Sequence, residues 1–182
     1  MKKLIVTLLL AVSAASLHAQ GTVLFNNLFG TGANAVNAPI TDGGAKVAAG
    51  YFAQLWAAPA GSQNFQPIGA IVPFRTGGFA GYVSVGSAGS RTIDAVTPGS
   101  MAAVQIRAWA GAAGSTFDGA SKRGMSSTLT LATGNVPDPA TGVPSPPSPL
   151  VGLQGFDLVP EPSTIALAVL GFGSLLLFRR RK

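Results

Sequence analysis

The chain has no cysteine, and its one histidine, His18, lies close to the amino terminus. Without cysteine there can be neither a disulfide nor a thiolate nucleophile. If a leader that includes His18 is removed, as argued below, the remaining protein has no histidine either. These absences exclude Ser-His-Asp and Cys-His catalysis, and the ordinary zinc sites, from the mature protein.

Charged residues are scarce as well, at 10% of the chain, and they are unevenly distributed. Lys2, Lys3 and the last four residues supply six of the twelve Lys and Arg side chains. The segment from Gln20 to Pro160 contains the other six cations and five aspartates, so it is nearly neutral. The net charge of +6 therefore gives no reason to expect a nucleic-acid partner.

Residues 1–19 have the pattern of a secretory signal peptide. Two lysines precede the apolar run Leu4–Val12, and small residues follow it. We expect this segment to be helical and signal peptidase to cut after Ala19, which leaves Gln20 as the first residue. A cut after Ala15 and an uncleaved anchor are the alternatives.

Residues 159–182 consist of three consecutive parts, which are a short Pro-containing motif, an uncharged apolar run and a basic end. In order they are Val159-Pro160-Glu161-Pro162, Ile165 to Phe178, and Arg179-Arg180-Arg181-Lys182. The apolar run is shorter than the ~20 residues of a usual membrane span, but the arginines can extend their charges to the headgroups. We expect a transmembrane helix over 163–178 with the basic end in the cytoplasm. A buried core helix that ends in a basic tail is the alternative.

This ordered trio resembles the PEP-CTERM sorting signal of exported bacterial proteins. The resemblance implies recognition by an exosortase, a membrane-embedded enzyme similar to cysteine transpeptidases, which would cut near Val159–Pro162. It implies transient anchoring in the inner membrane, followed by release or transfer at the surface of a bacterium that makes exopolysaccharide. The segments Gln20–Val23, Tyr51–Trp56 and Ile106–Trp109 also resemble a set of small proteins that carry this signal, which implies a shared β-domain.

Residues 20–158 are expected to form one all-β domain, an antiparallel β-sandwich of the jelly-roll or immunoglobulin-like kind. Short runs of β-branched and aromatic residues alternate with clusters of Gly, Ser, Asn and Pro. The predicted strands are Thr22–Asn27, Lys46–Ala57, Pro67–Phe74, Gly81–Gly86, Arg91–Val96, Ala102–Ala110, Ser127–Thr133 and Leu150–Val159. The proline-rich segment 135–149 is expected to be a loop that crosses the domain, and a semi-rigid connector is the alternative.

Two of these strands contain similar segments around Trp56 and Trp109. Alternation with a period of two places each tryptophan on the face that carries Gln54 or Arg107, opposite the face rich in Val, Ile and Leu. An arginine could lie over an indole there. Trp56, Trp109 and Arg107 are therefore candidates for contact with a sugar or a partner, unless a loop such as Gly30–Gly44 covers the tryptophans.

Residues that could support chemistry are few. Asn34, Asn37 and Asp42 offer oxygens to calcium, but their spacing fits no known calcium-binding loop. The ordinary preference of Asn and Asp for turns explains their presence. Several aspartates could form a glycosidase pair, yet nothing in their flanks singles out two of them. We therefore expect no metal, no cofactor and no enzymatic activity.

The expected function is that of a non-enzymatic cell-surface or matrix protein, associated with exopolysaccharide and biofilm. The alternative is a carbohydrate-binding module that uses Trp56, Trp109 or Tyr82 as stacking platforms. Exposed aromatic rings in a crevice would favour the alternative, and buried rings would favour the first function.

Overall fold

The computed structural model describes residues 20–85 and 89–160, and this part of the chain is built from short β-strands. In chain order they are β1 Gly21–Leu24, β2 Leu28–Phe29, β3 Val36–Asn37, β4 Thr41–Asp42, β5 Ala45–Lys46, β6 Tyr51–Pro59, β7 Gln66–Pro73, β8 Ser90–Ile93, β9 Met101–Ala110, β10 Lys122–Met125, β11 Leu129–Ala132, β12 Ser148–Pro149 and β13 Asp157–Pro160. Two single turns of 3-10 helix, Gly32–Asn34 and Gly77–Phe79, interrupt them. The predicted all-β class is confirmed. The expected signal helix over 1–19 and membrane helix over 163–178 lie outside the described residues, within which no helix is long and apolar enough to span a membrane.

The largest sheet has the strand order β5-β4-β13-β10-β9-β6-β7, and β11 pairs with β9 as well. Its centre is the long antiparallel pair β6 and β9, which stays in register from Tyr51↔Ala110 to Pro59↔Ala102. A second sheet has the order β12-β1-β8, and β2 pairs with β3. Two short pairings, β1 with β12 and β13 with β4, are parallel. The expectation of a wholly antiparallel arrangement is wrong there, because long connections rather than hairpins bring those strands together.

The main apolar core takes side chains from both of these sheets. Val23 in β1 is buried together with Leu55 in β6, Ile106 in β9 and Leu158 in β13. In β6 and β9 these side chains alternate with more exposed ones, as the period of a strand requires.

A buried asparagine ties three segments of the chain together beside this core. Asn27 is fully buried, and its amide nitrogen donates hydrogen bonds to the carbonyl oxygens of Ala38 at 2.8 Å and Gly81 at 2.9 Å. Its side-chain oxygen accepts a hydrogen bond from the backbone N–H of Val83 at 2.9 Å. Asn27 thus supplies partners for the N–H of Val83 and the carbonyl group of Ala38, and it shares the carbonyl group of Gly81 with the N–H of Ile40.

Several predicted strands differ from the observed ones. In Gly81–Gly86, the described part makes only an isolated bridge between Val83 and Phe74. The predicted strand Leu150–Val159 is a turn at its start, with Leu150 buried, and becomes a strand only at β13. Strand β10 was not predicted, because Lys-Arg-Gly-Met has neither alternation nor β-branched residues.

In the proline-rich segment, Pro137 and Pro144 form an isolated bridge. The segment ends in β12, which pairs in parallel with β1, and Leu150 immediately after it is fully buried. The loop passes directly over Gly134, where an added Cβ would collide with the carbonyl group of Pro146. The expected domain boundary between residues 158 and 159 falls inside β13.

Candidate functional site

The predicted tryptophan face lies on the side of the large sheet opposite the core. In the pairing of β6 with β9, Gln54 lies opposite Arg107 and Trp56 lies opposite Gln105. Leu55 and Ile106 point the other way and are fully buried in the core. The alternation read from the sequence is therefore confirmed for both strands.

Arg107 lies over the indole of Trp56, with 3.9 Å between the guanidinium carbon and the ring centroid. The guanidinium carbon of Arg107 is also 5.4 Å from the ring centroid of Phe117. The guanidinium carbon of Arg123 is 5.1 Å from the same centroid. We call Trp56, Arg107, Phe117 and Arg123 the arginine–aromatic stack. The predicted cation over an indole is confirmed, and such contacts between partly buried groups are worth about 1 kcal/mol.

Two hydrogen-bond donors in this stack are buried without a partner. They are Nε1 of Trp56 and Nε of Arg107. The Arg107 side chain makes one long hydrogen bond, from Nη2 to the side-chain oxygen of Gln105 at 3.4 Å. Burial lowers the pKa of Arg107, and the charge of Asp118 partly offsets this effect. Unpaired buried donors cost free energy, so these two N–H groups offset part of the stabilisation that the stack provides.

Trp109 is 0% exposed, so it cannot be a stacking platform for a sugar. Its ring meets that of Phe117 edge-on, with 6.2 Å between centroids and 81° between planes, and its Nε1 donates a hydrogen bond to Oγ of Ser115 at 2.9 Å. Ala120 completes this second small core. The segment after β9 therefore covers Trp109, and the loop Gly30–Gly44 does not. The chain turns back over the sheet directly after β9 ends.

Tyr82 is also buried rather than available for stacking, and its hydroxyl donates a hydrogen bond to the side-chain oxygen of Asn37 at 2.6 Å. Of the aromatic residues considered for sugar contact, only Trp56 stays partly accessible. Because Arg107 covers one of its ring faces, Trp56 offers a combined apolar and cationic surface rather than a bare platform.

Asp42 is held by two neighbours near the end of the large sheet. Lys122 Nζ contacts its carboxylate oxygens at 2.9 and 3.0 Å, and the Tyr51 hydroxyl donates to it at 2.7 Å. These hydrogen bonds, first from Lys122 and then from Tyr51, lower the pKa of Asp42. The carboxylate is therefore a structural clamp between β4, β6 and β10.

Two of the three residues whose oxygens were considered for calcium binding, Asn37 and Asp42, make hydrogen bonds within the protein. The oxygens of Asp42 and Asn37 are engaged by protein donors. Within residues 20–85 and 89–160, no three His, Cys, Asp or Glu side chains are grouped so that they could hold a metal ion.

A groove of about 410 Å³ opens between the turn after β6 and the strand β8. Its polar lining comes from Ser62, Asn64, Gln66 and Asp94, and Ile68 and Ile93 form part of its apolar base. Sequence reasoning missed this groove, because its two sides come from segments about thirty residues apart whose proximity depends on the contact of β7 with β8.

The sorting motif joins the fold directly. Val159 and Pro160 belong to β13, which lies inside the large sheet between β4 and β10. Gln20, the expected first residue after signal cleavage, precedes β1, and its carbonyl accepts a hydrogen bond from Asn135 at 2.9 Å. The other predicted sorting and cleavage residues lie outside the described residues and stay predictions, namely Ala19, Glu161, Pro162, Arg179, Arg180, Arg181 and Lys182.

Residues 158–182 match the family model of the PEP-CTERM protein-sorting motif. The chain carries a PEP-CTERM sorting motif. It is accordingly an exported protein that an exosortase processes, with a transient stage at the membrane. No curated protein and no solved structure matches the chain in the corresponding comparisons.

Proposed function

We propose that this exosortase substrate is a non-enzymatic protein of the cell surface or extracellular matrix, associated with exopolysaccharide in a biofilm. The observation that carries the proposal is the continuity of the sorting motif with the β-domain through β13. A tail built into the sheet delivers a folded domain to the surface, and that domain is the part that remains to act there.

The positions of the carboxylates support a non-enzymatic role. Four of the five aspartates of the described region are engaged in structural contacts: Asp42 with Lys122, Asp118 with Arg123 at 3.6 Å, Asp138 with the N–H groups of Ala140 and Thr141, and Asp157 with the N–H of Gly44. Asp94 borders the groove near β8 without a second carboxylate in its lining. A glycosidase needs two carboxylates across one bond, and the engagement of four aspartates in structural contacts supports a different use of these side chains.

We also infer that the domain is a β-sandwich, with the β12-β1-β8 sheet packed on the large sheet. The common core of Val23, Phe25, Leu55 and Ile106 supports this arrangement, because these residues come from both sheets. Facing sheets bury one side of each and leave the other to solvent. The stack around Arg107 would then be on an outer surface.

Fractionation of native cells tests the proposal. Intact-mass analysis of surface and matrix material should find a chain that lacks both the signal peptide and the carboxyl-terminal basic end. In a strain that makes no exopolysaccharide, the processed protein should move from the matrix to the medium. Finding the full Met1–Lys182 chain at the surface, or equal retention in both strains, would contradict the proposal.

The arginine–aromatic stack favours one second function, the binding of acidic polysaccharide. The guanidinium of Arg107 has no carboxylate at ion-pair distance among the described residues, and Arg107 and Trp56 are only partly buried. A uronic acid combines a carboxylate for the guanidinium group with an apolar ring face for Trp56.

Retention on immobilised polygalacturonate, with dextran as the neutral comparison, tests this function. Arg107→Gln and Trp56→Phe should each weaken retention on the acidic polymer only. Arg75→Gln is the matched control, because Arg75 also lies over an aromatic ring, Phe79, at 5.8 Å. Equal losses from the control and from Arg107→Gln would indicate general charge attraction rather than a site.

A further inference from the structure

The groove between the turn after β6 and the strand β8 is a separate feature from the arginine–aromatic stack. Its base includes Ala57, which directly follows Trp56 in β6. Successive residues of a strand point to opposite faces, so the groove lies on the face of the large sheet opposite Trp56 and Arg107. A ligand in the groove would therefore occupy a different surface from a ligand bound at the stack.

A tight turn presents the polar side chains of one wall. The N–H of Ser62 donates a hydrogen bond to the carbonyl oxygen of Pro59 at 3.0 Å, and Gly61 between them has a φ of +83°, which glycine adopts without strain. The N–H of Asn64 donates to Oγ of Ser62 at 3.1 Å. Nε2 of Gln66 donates to Oδ1 of Asn64 at 2.8 Å. These bonds hold the side chains of Ser62, Asn64 and Gln66 beside one another at the groove.

The same bonds leave several polar groups of this wall available to a ligand. Gln66 uses only its side-chain nitrogen, so its Oε1 can accept a hydrogen bond, and Asn64 uses only its side-chain oxygen, so its Nδ2 can donate one. The hydroxyl of Ser62 can also donate. These side chains form no other hydrogen bond within residues 20–85 and 89–160. Donors and acceptors placed next to each other suit hydroxyl groups, because each hydroxyl both donates and accepts.

Asp94 supplies the charge on the facing side. It follows β8 in a turn that is closed by a hydrogen bond from the N–H of Val96 to the carbonyl oxygen of Ile93 at 3.1 Å. Asp94 is exposed, and among the described residues its carboxylate has neither an ion pair nor a hydrogen bond. The described residues that line the groove include no Lys or Arg. The groove is therefore negatively charged, and a cationic group is favoured there.

The size and the base of the groove fit a small ring. Its volume of about 410 Å³ falls within the ~300–1,000 Å³ of small-ligand sites. The partly buried Ile68 and the buried Ile93 contribute to an apolar base, and the polar groups stand at the sides. A sugar ring has the matching distribution, with apolar C–H groups on its face and hydroxyls around its edge.

We propose that this groove binds an amino sugar in its protonated form. The ammonium group would pair with the carboxylate of Asp94, the ring hydroxyls with the side chains of Asn64 and Gln66, and the C–H face with Ile68. A uronic acid is disfavoured because Asp94 would repel its carboxylate, so the preference is opposite in sign to that of the arginine–aromatic stack. The site goes beyond the function proposed above, and it depends neither on the stack nor on the final location of the protein.

The first test compares ligands that share the ring and differ in charge. Titration calorimetry of the full chain, in a detergent without a sugar headgroup, measures the Kd of a glucosamine tetramer at a pH at which its amines are protonated. Tetramers of N-acetylglucosamine and of glucose are the comparison ligands. The glucosamine tetramer should bind at least about threefold more tightly than either, as expected for an exposed ion pair. Absent binding, or equal affinities for the three tetramers, would overturn the proposal.

The second test removes the charge of the groove. Asp94→Asn should weaken binding of the glucosamine tetramer about threefold and leave that of the N-acetylglucosamine tetramer unchanged, because the acetylated ligand has no ammonium group to lose a partner. Asp138→Asn is the matched control. Asp138 is also exposed and without an ion pair, and an amide oxygen can still accept from the N–H groups of Ala140 and Thr141. Equal weakening by both substitutions would indicate general charge attraction and would overturn the proposal.

The third test separates a sugar site from a site for any cation. Gln66→Leu removes the amide and should weaken binding of both amino-sugar tetramers, and Gln66 is exposed, so far-ultraviolet circular dichroism should match that of the parent chain. Tetralysine provides ammonium groups without ring hydroxyls, so its binding should be weaker than that of the glucosamine tetramer and insensitive to Gln66→Leu. Binding of tetralysine as tight as that of the glucosamine tetramer, with the same loss on Asp94→Asn, would overturn the assignment to a sugar.

Discussion

The burial of Trp109 predicts a large loss of stability when its side chain is removed. The ring is 0% exposed, it meets Phe117 at 6.2 Å, and its N–H is satisfied by Ser115. Replacing a buried aromatic residue by alanine costs about 3–5 kcal/mol, from lost transfer free energy and from the cavity left behind. Trp109→Ala should therefore lower the free energy of unfolding by about that amount. Trp109→Phe, which keeps an aromatic ring, should lose about 1 kcal/mol for the hydrogen bond and a further part for the reduced volume.

Trp56→Ala is the matched control for this substitution. Trp56 is only half-buried, its Nε1 has no partner, and its stacking with Arg107 is worth about 1 kcal/mol. The cost of Trp56→Ala should thus be clearly smaller than that of Trp109→Ala. Urea unfolding of the full chain in detergent, followed by far-ultraviolet circular dichroism, measures both free-energy changes. The comparison requires that the slope of the unfolding free energy against urea concentration is the same for both variants and the parent chain.

Acrylamide quenching gives a second and independent reading. In the Trp56→Phe protein, the remaining Trp109 fluorescence should be weakly quenched, and in the Trp109→Phe protein the Trp56 fluorescence should be quenched more strongly. A cost below about 1 kcal/mol for Trp109→Ala, which is typical of surface positions, would refute the argument from burial. So would stronger quenching of Trp109 than of Trp56.

Three further predictions concern acid stability, sorting and metal independence. The hydrogen bonds from Lys122 and Tyr51 hold the pKa of Asp42 below its ordinary value of 3.8, so their stabilisation is present above that pH and is lost as the pH falls through the lowered pKa. Asp42→Asn should therefore reduce stability at neutral pH, and the stability of this variant should decline less in acid than that of the parent chain. Identical unfolding midpoints of the variant and the parent chain between pH 2 and 7 would contradict this. Glu161→Ala should leave an uncut precursor in the inner membrane, as judged by intact mass, and normal processing would remove the role assigned to Glu161. Neither a chelator nor a reducing agent should shift the unfolding midpoint, since the chain has no cysteine and its described residues form no metal cluster; a clear drop after chelation would argue for a bound ion.

The face of each long strand could be predicted from the sequence because it depends only on alternation. The period of two placed Trp56 with Arg107 and opposite Leu55, and the contact at 3.9 Å follows from the pairing of β6 with β9. The burial of Trp109 could not be predicted in the same way. It depends on a segment without periodicity that turns back after β9 and brings Phe117 onto the ring.

Contacts between distant residues were similarly beyond the sequence patterns. Asp42 and Lys122 are 80 positions apart, and neither has a local feature that identifies its partner. Their pairing requires β4 and β10 to lie on the two sides of β13, which is a property of the topology. The groove beside Asp94 has the same origin, because its two walls meet only after β8 has packed next to β7.

Strand β13 shows how one short segment can serve both the fold and the sorting signal. A tripeptide motif is read along the chain as Pro160-Glu161-Pro162, yet its first residue already pairs with Lys122 in the sheet. Proline has no backbone N–H and is confined to strand ends and edges, so Pro160 is suited to be the last residue of β13, where it pairs with β10 alone. Leu158→Ala should consequently lower stability, because Leu158 is 2% exposed, whereas Glu161→Ala should alter processing alone. The separation of those two effects at neighbouring positions depends on where the sheet ends, which the linear motif does not reveal.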